Sequence, residues 1–261
     1  MILNIQIRRY DMASLIVEFK NVNKKFGTTQ ALDNLCFQIP ENCIVGLIGA
    51  NGAGKTTALR HIIRYLQPDS GAILYHGKDI YTLPHTDFPI AYIPDSPIFY
   101  EELTVLEHLS FVGTLYNTTS SIKELISIMD VERHLNKVPS VLSKGTKQKL
   151  SIMCALLRKY ELLVADEPFM SLDPKQIYVF KNILLELKNQ GKTIIISTHL
   201  LNIIDNICDY YVMIERGKLL AEGKLEDIIQ AGKCTSLEEL YLHLATQSDD
   251  YSSQVEQFEE A

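Results

Sequence analysis

Residues 49–57 read Gly49-Ala50-Asn51-Gly52-Ala53-Gly54-Lys55-Thr56-Thr57 and follow directly on the apolar run Ile44-Val45-Gly46-Leu47-Ile48. Glycines at this spacing let backbone N–H groups turn inward toward the α- and β-phosphates of a nucleotide, where side chains would collide. Lys55 has the reach for the β/γ oxygens, and the Thr56 hydroxyl is placed to ligand Mg²⁺. A helix beginning near Thr56 points the positive end of its dipole at the same anion. The chemistry this pattern supports is the binding of a nucleoside triphosphate, with Gly49 through Thr57 as the cradle.

Two further segments carry charge that such a cradle would use. Leu162-Leu163-Val164-Ala165 runs into the adjacent carboxylates Asp166 and Glu167, as a buried strand emerging at a phosphate site would. Neighbouring side chains on a strand point to opposite sides, so the two acids take separate tasks. Asp166 suits the shell of a Mg²⁺ ion, and Glu167 suits polarising an attacking water as general base. Alone, the pair reads equally well as a solvated strand exit; after a phosphate loop the chemical reading is favoured. Leu142-Ser143-Lys144-Gly145-Thr146-Lys147-Gln148-Lys149 precedes a helical run rich in Leu, Ile and Met. Ser143 is a good N-cap, Gly145 permits close backbone approach to another group, and the helix start with its lysines suits an anion. In isolation this segment is a capped surface helix with a solvated basic face.

The elements that must hold these groups follow from the apolar pattern. Strands are expected at Leu15–Phe19, Ala31–Ile39, Ile44–Ile48, Ala72–His76 and Ile90–Ile93, and again at Leu162–Ala165, Thr193–Ser197 and Tyr210–Ile214. Arg216-Gly217 turns a hairpin between Tyr211–Ile214 and Lys218–Ala221. A helix is expected over Thr56–Leu66, stopped by Pro68-Asp69-Ser70-Gly71, and another over about 174–189. From about Pro97 to Tyr160 the spacing is helical, with Leu103, Leu106, Leu109, Val112 and Leu115 as one stripe and Leu125, Ile128 and Met129 as a second. The expected fold is α/β: a mostly parallel core sheet, an N-terminal antiparallel β subdomain and a helical subdomain at about 97–160. Residues 1–14 form a short N-terminal appendage, with Met12 a plausible alternative start, and 232–261 form a C-terminal helix with an acidic tail.

Composition narrows the function. The 261 residues carry a net charge of -7 at mean hydropathy +0.02, which disfavours a protein that grips nucleic-acid phosphates. Five scattered cysteines (Cys36, Cys43, Cys154, Cys208, Cys234) with no C-x-x-C pair read as reduced thiols rather than a disulfide frame or zinc site. No apolar stretch approaches the ~18–20 residues that cross a bilayer, and the start of the chain is not a secretory signal. A membrane role would be borrowed from a partner.

Taken together, residues 15–231 resemble the ATP-binding subunit of ABC transporters. Leu142-Ser143-Lys144-Gly145-Thr146 is similar to the family signature (usually L-S-G-G-Q), Met170-Ser171-Leu172-Asp173 to the D-loop, and Ser197-Thr198-His199 to the switch histidine. Phe26 stands where the family places the aromatic that stacks on adenine. Within the family the chain looks like Ecs-type ATPases and related peptide exporters, on Tyr92-Ile93-Pro94, Tyr100-Glu101-Glu102-Leu103-Thr104, Ile152-Met153-Cys154-Ala155 and Ser236-Leu237-Glu238-Glu239-Leu240-Tyr241.

The resemblance implies a head-to-tail homodimer of ATPase subunits. Each ATP, with Mg²⁺, lies between Lys55 and Thr56 of one copy and Ser143 and Gly145 of the other. It implies Glu167 as base, His199 as the γ-phosphate sensor, and Asp166 with Thr56 at the metal. A transmembrane permease is the implied partner, docking near Phe99 and Tyr100 at the cytoplasmic face of the membrane. Two departures stand out. Asp95 occupies the place of the family's Q-loop glutamine; it can still ligand the metal but cannot donate as an amide does. Lys144 and Thr146 replace the usual Gly and Gln, leaving Gly145 as the signature's one glycine. A soluble ABC-type ATPase without a transport role is the alternative. The single motif set and the short interval from Lys55 to Ser143 argue against translation-factor and coiled-coil DNA-repair forms.

Overall fold

The computed structural model describes residues 14–84 and 88–246, together with the backbone of Ile5–Gln6. The acidic tail expected from Ser248 and most of the N-terminal appendage lie outside the described residues. In chain order the first elements are β1 (Ile5–Gln6), β2 (Leu15–Phe26), β3 (Thr29–Pro40), β4 (Ile44–Ile48), α1 (Lys55–Ile62), β5 (Ser70–Tyr75), β6 (Lys78–Asp79) and β7 (Ile90–Ile93). There follow α2 (Val105–Tyr116), α3 (Ile122–Met129), α4 (Lys144–Leu156), β8 (Leu162–Asp166) and α5 (Pro174–Asn189). The chain continues with β9 (Thr193–Thr198), α6 (Leu201–Ile204), β10 (Tyr210–Glu215), β11 (Lys218–Gly223), α7 (Leu225–Gly232) and α8 (Leu237–Thr246). It divides into two compact units, Met1–Leu83 with Ser197–Ala261, and Pro84–Ile196.

In the first unit β4 pairs parallel with β10, β10 antiparallel with β11, and β11 parallel with β1. All five residues of β4 are buried, the continuous apolar run of a strand covered on both faces. Arg216 and Gly217 both take positive φ in the β10–β11 turn, as a two-residue hairpin requires. An antiparallel sheet in the order β3-β2-β5-β6 completes this unit, with Phe19 stacked on Phe37 across β2 and β3 at 4.2 Å. Helix α1 ends at Ile62, a turn short of the expected Leu66. Arg64 enters the left-handed region at φ 60°, and the N–H groups of Tyr65 and Leu66 both turn back to the Arg60 carbonyl, which closes the helix.

In the second unit β7 pairs parallel with β8, and β9 follows β8 in strand order. The expected helical stretch resolves into α2, α3 and α4, joined by short 3-10 turns. The apolar stripe drawn on α2 is corrected. A three-residue step advances only about 300° on a helix of about 100° per residue, so the stripe winds round the cylinder. The face that packs inward is Val105, His108, Leu109 and Gly113, while Leu106 and Leu115 are exposed. On α3 the buried set is Ile122, Ile126 and Met129, and Ile128 faces outward. Thr104 and Glu107 cap α2 reciprocally, and Asp173 and Gln176 cap α5 in the same way.

All five cysteines are free thiols, buried or half-buried. One acidic side chain is out of place in this interior. Glu222 on β11 accepts the Gln38 N–H at 2.9 Å, and burial pushes its carboxyl up to about 7. The folded chain therefore holds this proton where the unfolded chain, with a carboxyl near 4.5, has released it. Stability falls as pH rises from about 4.5 to about 7 and stays lower above. Glu222→Gln should remove that slope. Its thermal midpoint should gain on the wild type between pH 5 and pH 8, by roughly 2–4 °C for each ~1 kcal/mol involved. Parallel melting curves at both pH values would refute this.

Candidate functional site

The loop after β4 is built by close backbone approach. A side chain at Gly49 would meet the Ile214 carbonyl at 2.4 Å, and one at Gly54 would meet the Ala31 carbonyl at 2.7 Å. Gly52 and Gly54 sit at φ 84° and 107°, a region that only glycine enters freely. Gly54 is the N-cap of α1, and its carbonyl accepts the Ala58 N–H at 2.9 Å. Ala53 N–H bonds to Ala50 O at 3.1 Å and turns the loop. The Ala53 carbonyl in turn accepts the Gly217 N–H from the β10–β11 hairpin at 2.8 Å.

Lys55 opens α1, and its side chain is 6% exposed. Its ammonium folds back over the loop, donating to Gly49 O at 2.8 Å and Ala50 O at 3.2 Å. Ala50, Asn51 and Gly52 are exposed, Ala53 is buried, and Thr56 and Thr57 are half-buried on the first turn of the helix. The Thr57 carbonyl bonds His61 Nδ1 at 2.7 Å. From the α8 side, the Tyr241 hydroxyl accepts the Ala50 N–H at 2.8 Å and donates to Glu215 Oε2 at 2.7 Å. Phe26 ends β2 beside the Gly27-Thr28 turn, 47% exposed, with the Lys24 ammonium 5.7 Å from its ring centre. His199 follows β9 and is half-buried. Just before it, the buried Thr198 hydroxyl accepts the Leu200 N–H at 3.0 Å and shapes the turn.

The second unit gathers the remaining residues. Asp166 closes β8 at 1% exposure, and the Tyr92 hydroxyl of β7 reaches its Oδ2 at 3.5 Å. Glu167 is not the next residue of a strand. It lies one position past β8 at φ 46°, and its carbonyl accepts the Met170 N–H at 3.1 Å. A left-handed turn, not strand alternation, sets its direction apart from that of Asp166. Asp95, beyond β7, is exposed, with the Ser96 hydroxyl 3.2 Å from its Oδ2.

Ser143 caps α4, its Oγ accepting the Thr146 N–H at 3.2 Å and lying 2.9 Å from the Thr146 hydroxyl. A side chain at Gly145 would stand 2.7 Å from the Ser171 carbonyl, so the first turn of α4 touches the segment that leads into α5. Gln148 extends the contact by donating to Pro168 O at 3.3 Å. The structure thus brings Gly145 against Ser171, with Ser143 at the cap of the same helix. Thr56 belongs to the first unit, and Asp95 and Asp166 to the second. Among the described residues, no group of three or more His, Cys, Asp or Glu converges as a self-contained metal cluster.

Gly217, Tyr92, Gln148 and Tyr241 were not marked by the sequence as supports of these segments. None lies within a motif spacing of the group it holds; even Gln148, on the helix that follows Ser143, bonds the carbonyl of the distant Pro168.

The chain matches the ABC transporter family over residues 32–170. It is 35% identical over 237 residues to the ABC-type transporter ATP-binding protein EcsA of Bacillus subtilis (strain 168), covering 88% of this chain and 96% of that protein. Its fold is similar to the solved structure of an ATP-binding subunit of an ABC transporter, with a TM-score of 0.82 and 36% identity over 88% of this chain and 99% of that one. It is also similar to a dimeric ATP-binding cassette in a post-hydrolysis state bound to ADP and Pi, with a TM-score of 0.72 and 25% identity over 80% of this chain and 98% of that one. On that family match, that identity over most of both chains and that shared fold, the chain belongs to the ABC transporter family, as an ATP-binding subunit of the ABC ATPase type.

Proposed function

We propose that this ATPase clasps Mg²⁺-ATP between two copies of itself and uses hydrolysis to drive a separate transmembrane subunit that exports a peptide, drug or lipid-like substrate. The observation that carries the reading is the Lys55 ammonium, buried yet bonded to carbonyls of its own loop. A phosphate oxygen forms a stronger, charge-assisted bond with that ammonium than a neutral carbonyl does. Gly52, Gly54 and the first turn of α1 present backbone N–H groups to the same anion. Gly49 through Thr57 form the cradle, and Phe26 offers an exposed ring for the adenine to stack on.

The donors assigned to the metal, the Thr56 hydroxyl and the Asp166 and Asp95 carboxylates, are hard oxygens suited to Mg²⁺. When bound, the ion neutralises phosphate charge and takes the rest of its shell from phosphate and water. Glu167 polarises the attacking water, and His199 holds and senses the γ-phosphate. Ser143 and Gly145 close over the phosphate held by the other copy, presenting the start of α4 to it. ATP then stabilises the dimer by binding it in preference to the separated copies, and cleavage lets the copies part. The dimeric cassette to which the fold is similar supports this pairing.

The membrane subunit would dock on the segment after Asp95. Ile98 is 95% and Tyr100 61% exposed, with Tyr100 edge-on to the exposed Phe111, whereas Phe99 packs edge-on against the buried His108. Tyr100, with Ile98 beside it, is the side chain offered to a partner. No helix among the described residues is long and apolar enough to cross a membrane, so attachment to its cytoplasmic face would run through that partner.

Three outcomes follow. Lys55→Ala should weaken ATP affinity, read by calorimetry, by about 30-fold or more, the scale of removing one partner of a buried charged contact; unchanged affinity would overturn the cradle. Glu167→Gln should keep ATP binding, lose about 100-fold or more in turnover, and elute as an ATP-dependent dimer in size exclusion. Normal turnover would remove Glu167 from the role of base. Ile98→Asp with Tyr100→Ala should leave the ATPase activity of the purified chain intact while reducing its recovery with detergent-solubilised membranes. Equal recovery would place the docking surface elsewhere.

A further inference from the structure

The C-terminal helix is fastened to the phosphate loop through one phenol. Helix α8 is started locally: the Ser236 hydroxyl accepts the Glu239 N–H at 3.1 Å, and the Glu239 carboxylate accepts the Thr235 N–H and hydroxyl at 2.7 Å each. It docks through Leu237, Leu240, Leu244 and Ala245. Leu240 reaches the end of α7, filling space that any side chain at Gly232 would occupy, at 2.3 Å. Tyr241 lies three and four positions from Leu244, Ala245 and Leu237, so it shares the edge of this docked face. Only with α8 seated does its hydroxyl stand between Ala50 and Glu215.

The group it holds is special. The Ala50 N–H, which donates to Tyr241 at 2.8 Å, belongs to the same peptide unit as the Gly49 carbonyl, which accepts the Lys55 ammonium at 2.8 Å. One peptide is therefore held at both ends, by a phenol on its N–H and an ammonium on its C=O. The Glu215 carboxylate accepts the phenol O–H at 2.7 Å, leaving the oxygen lone pairs for the Ala50 N–H. Bonds in such a chain polarise one another, so each strengthens the next.

We propose that Tyr241 is a positioning residue for the nucleotide site: through the Gly49–Ala50 peptide it sets where the Lys55 ammonium stands, and so couples the seating of the C-terminal helix to ATP affinity. This rests on reading the loop as the ATP cradle. A displacement of α8 releases the Ala50 N–H, frees the peptide to rotate, and moves the carbonyl on which Lys55 rests.

The test uses the full chain. Tyr241→Phe keeps the ring and its packing but loses the hydrogen bonds to Ala50 and Glu215. ATP affinity by calorimetry should weaken about three- to ten-fold, the scale of one ordinary hydrogen bond. In steady-state hydrolysis the loss should appear mainly in KM, with kcat little changed and the thermal midpoint close to wild type. Glu215→Gln, which still accepts from the phenol, should bind ATP as the wild type does, and Glu215→Ala should reproduce the Tyr241→Phe defect. The double variant should be no weaker than either single one, because both act in one chain of bonds. Should Tyr241→Phe fold poorly, the Glu215→Ala and Glu215→Gln pair carries the same readout. Wild-type affinity in Tyr241→Phe or in Glu215→Ala, or losses that simply add, would overturn the positioning role while leaving the cradle intact. A wild-type chain that does not bind ATP would overturn the cradle itself, and this inference with it.

Discussion

The first unit depends on holding a buried ammonium against the carbonyls of its own loop. Lys55 rests on the carbonyls of Gly49 and Ala50, whose dipoles steady its charge. That arrangement requires a loop whose backbone is rigid. Rigidity comes from contacts in which no side chain fits: Gly49 against the Ile214 carbonyl, Gly54 against the Ala31 carbonyl, and the Gly217 N–H on Ala53 O. The β10–β11 hairpin is thus part of this loop's wall, and its two positive-φ turn residues are where the wall is bent into place.

The second unit follows the same logic of small residues at tight approaches. The signature's one glycine, Gly145, is the position where a Cβ would strike the Ser171 carbonyl. Lys144 is exposed, and the Thr146 hydroxyl finds Ser143, so neither replacement of the family pattern disturbs that contact. Gln148 on the Pro168 carbonyl and Tyr92 near Asp166 add to the hold. The start of α4 thus touches the segment between β8 and α5 at Pro168 and Ser171.

Much of the chemistry was legible because its determinants are local. A glycine-rich loop after an apolar strand, two carboxylates at the end of another, and a serine before a helical run are each readable within ten residues. The strands Ile90–Ile93 and Ile44–Ile48 and the helix over 174–189 emerged where the apolar pattern put them. The errors have local causes too. Three-residue leucine spacing misplaced the inward face of α2, and the left-handed Arg64 ended α1 early although nothing in its side chain forbids helix.

The amino-acid sequence by itself determined which groups can meet a polyphosphate, because donor, hydroxyl and carboxylate types and their spacing along one strand–loop–helix are properties of short stretches of chain. Only the tertiary structure decided what holds those groups still. Ala50 and Tyr241 are 191 positions apart, and the Gln38 N–H and Glu222 are 184 apart. No periodicity or propensity reports such a pairing, since it exists only once the packing of the intervening elements has brought the two segments to the same place.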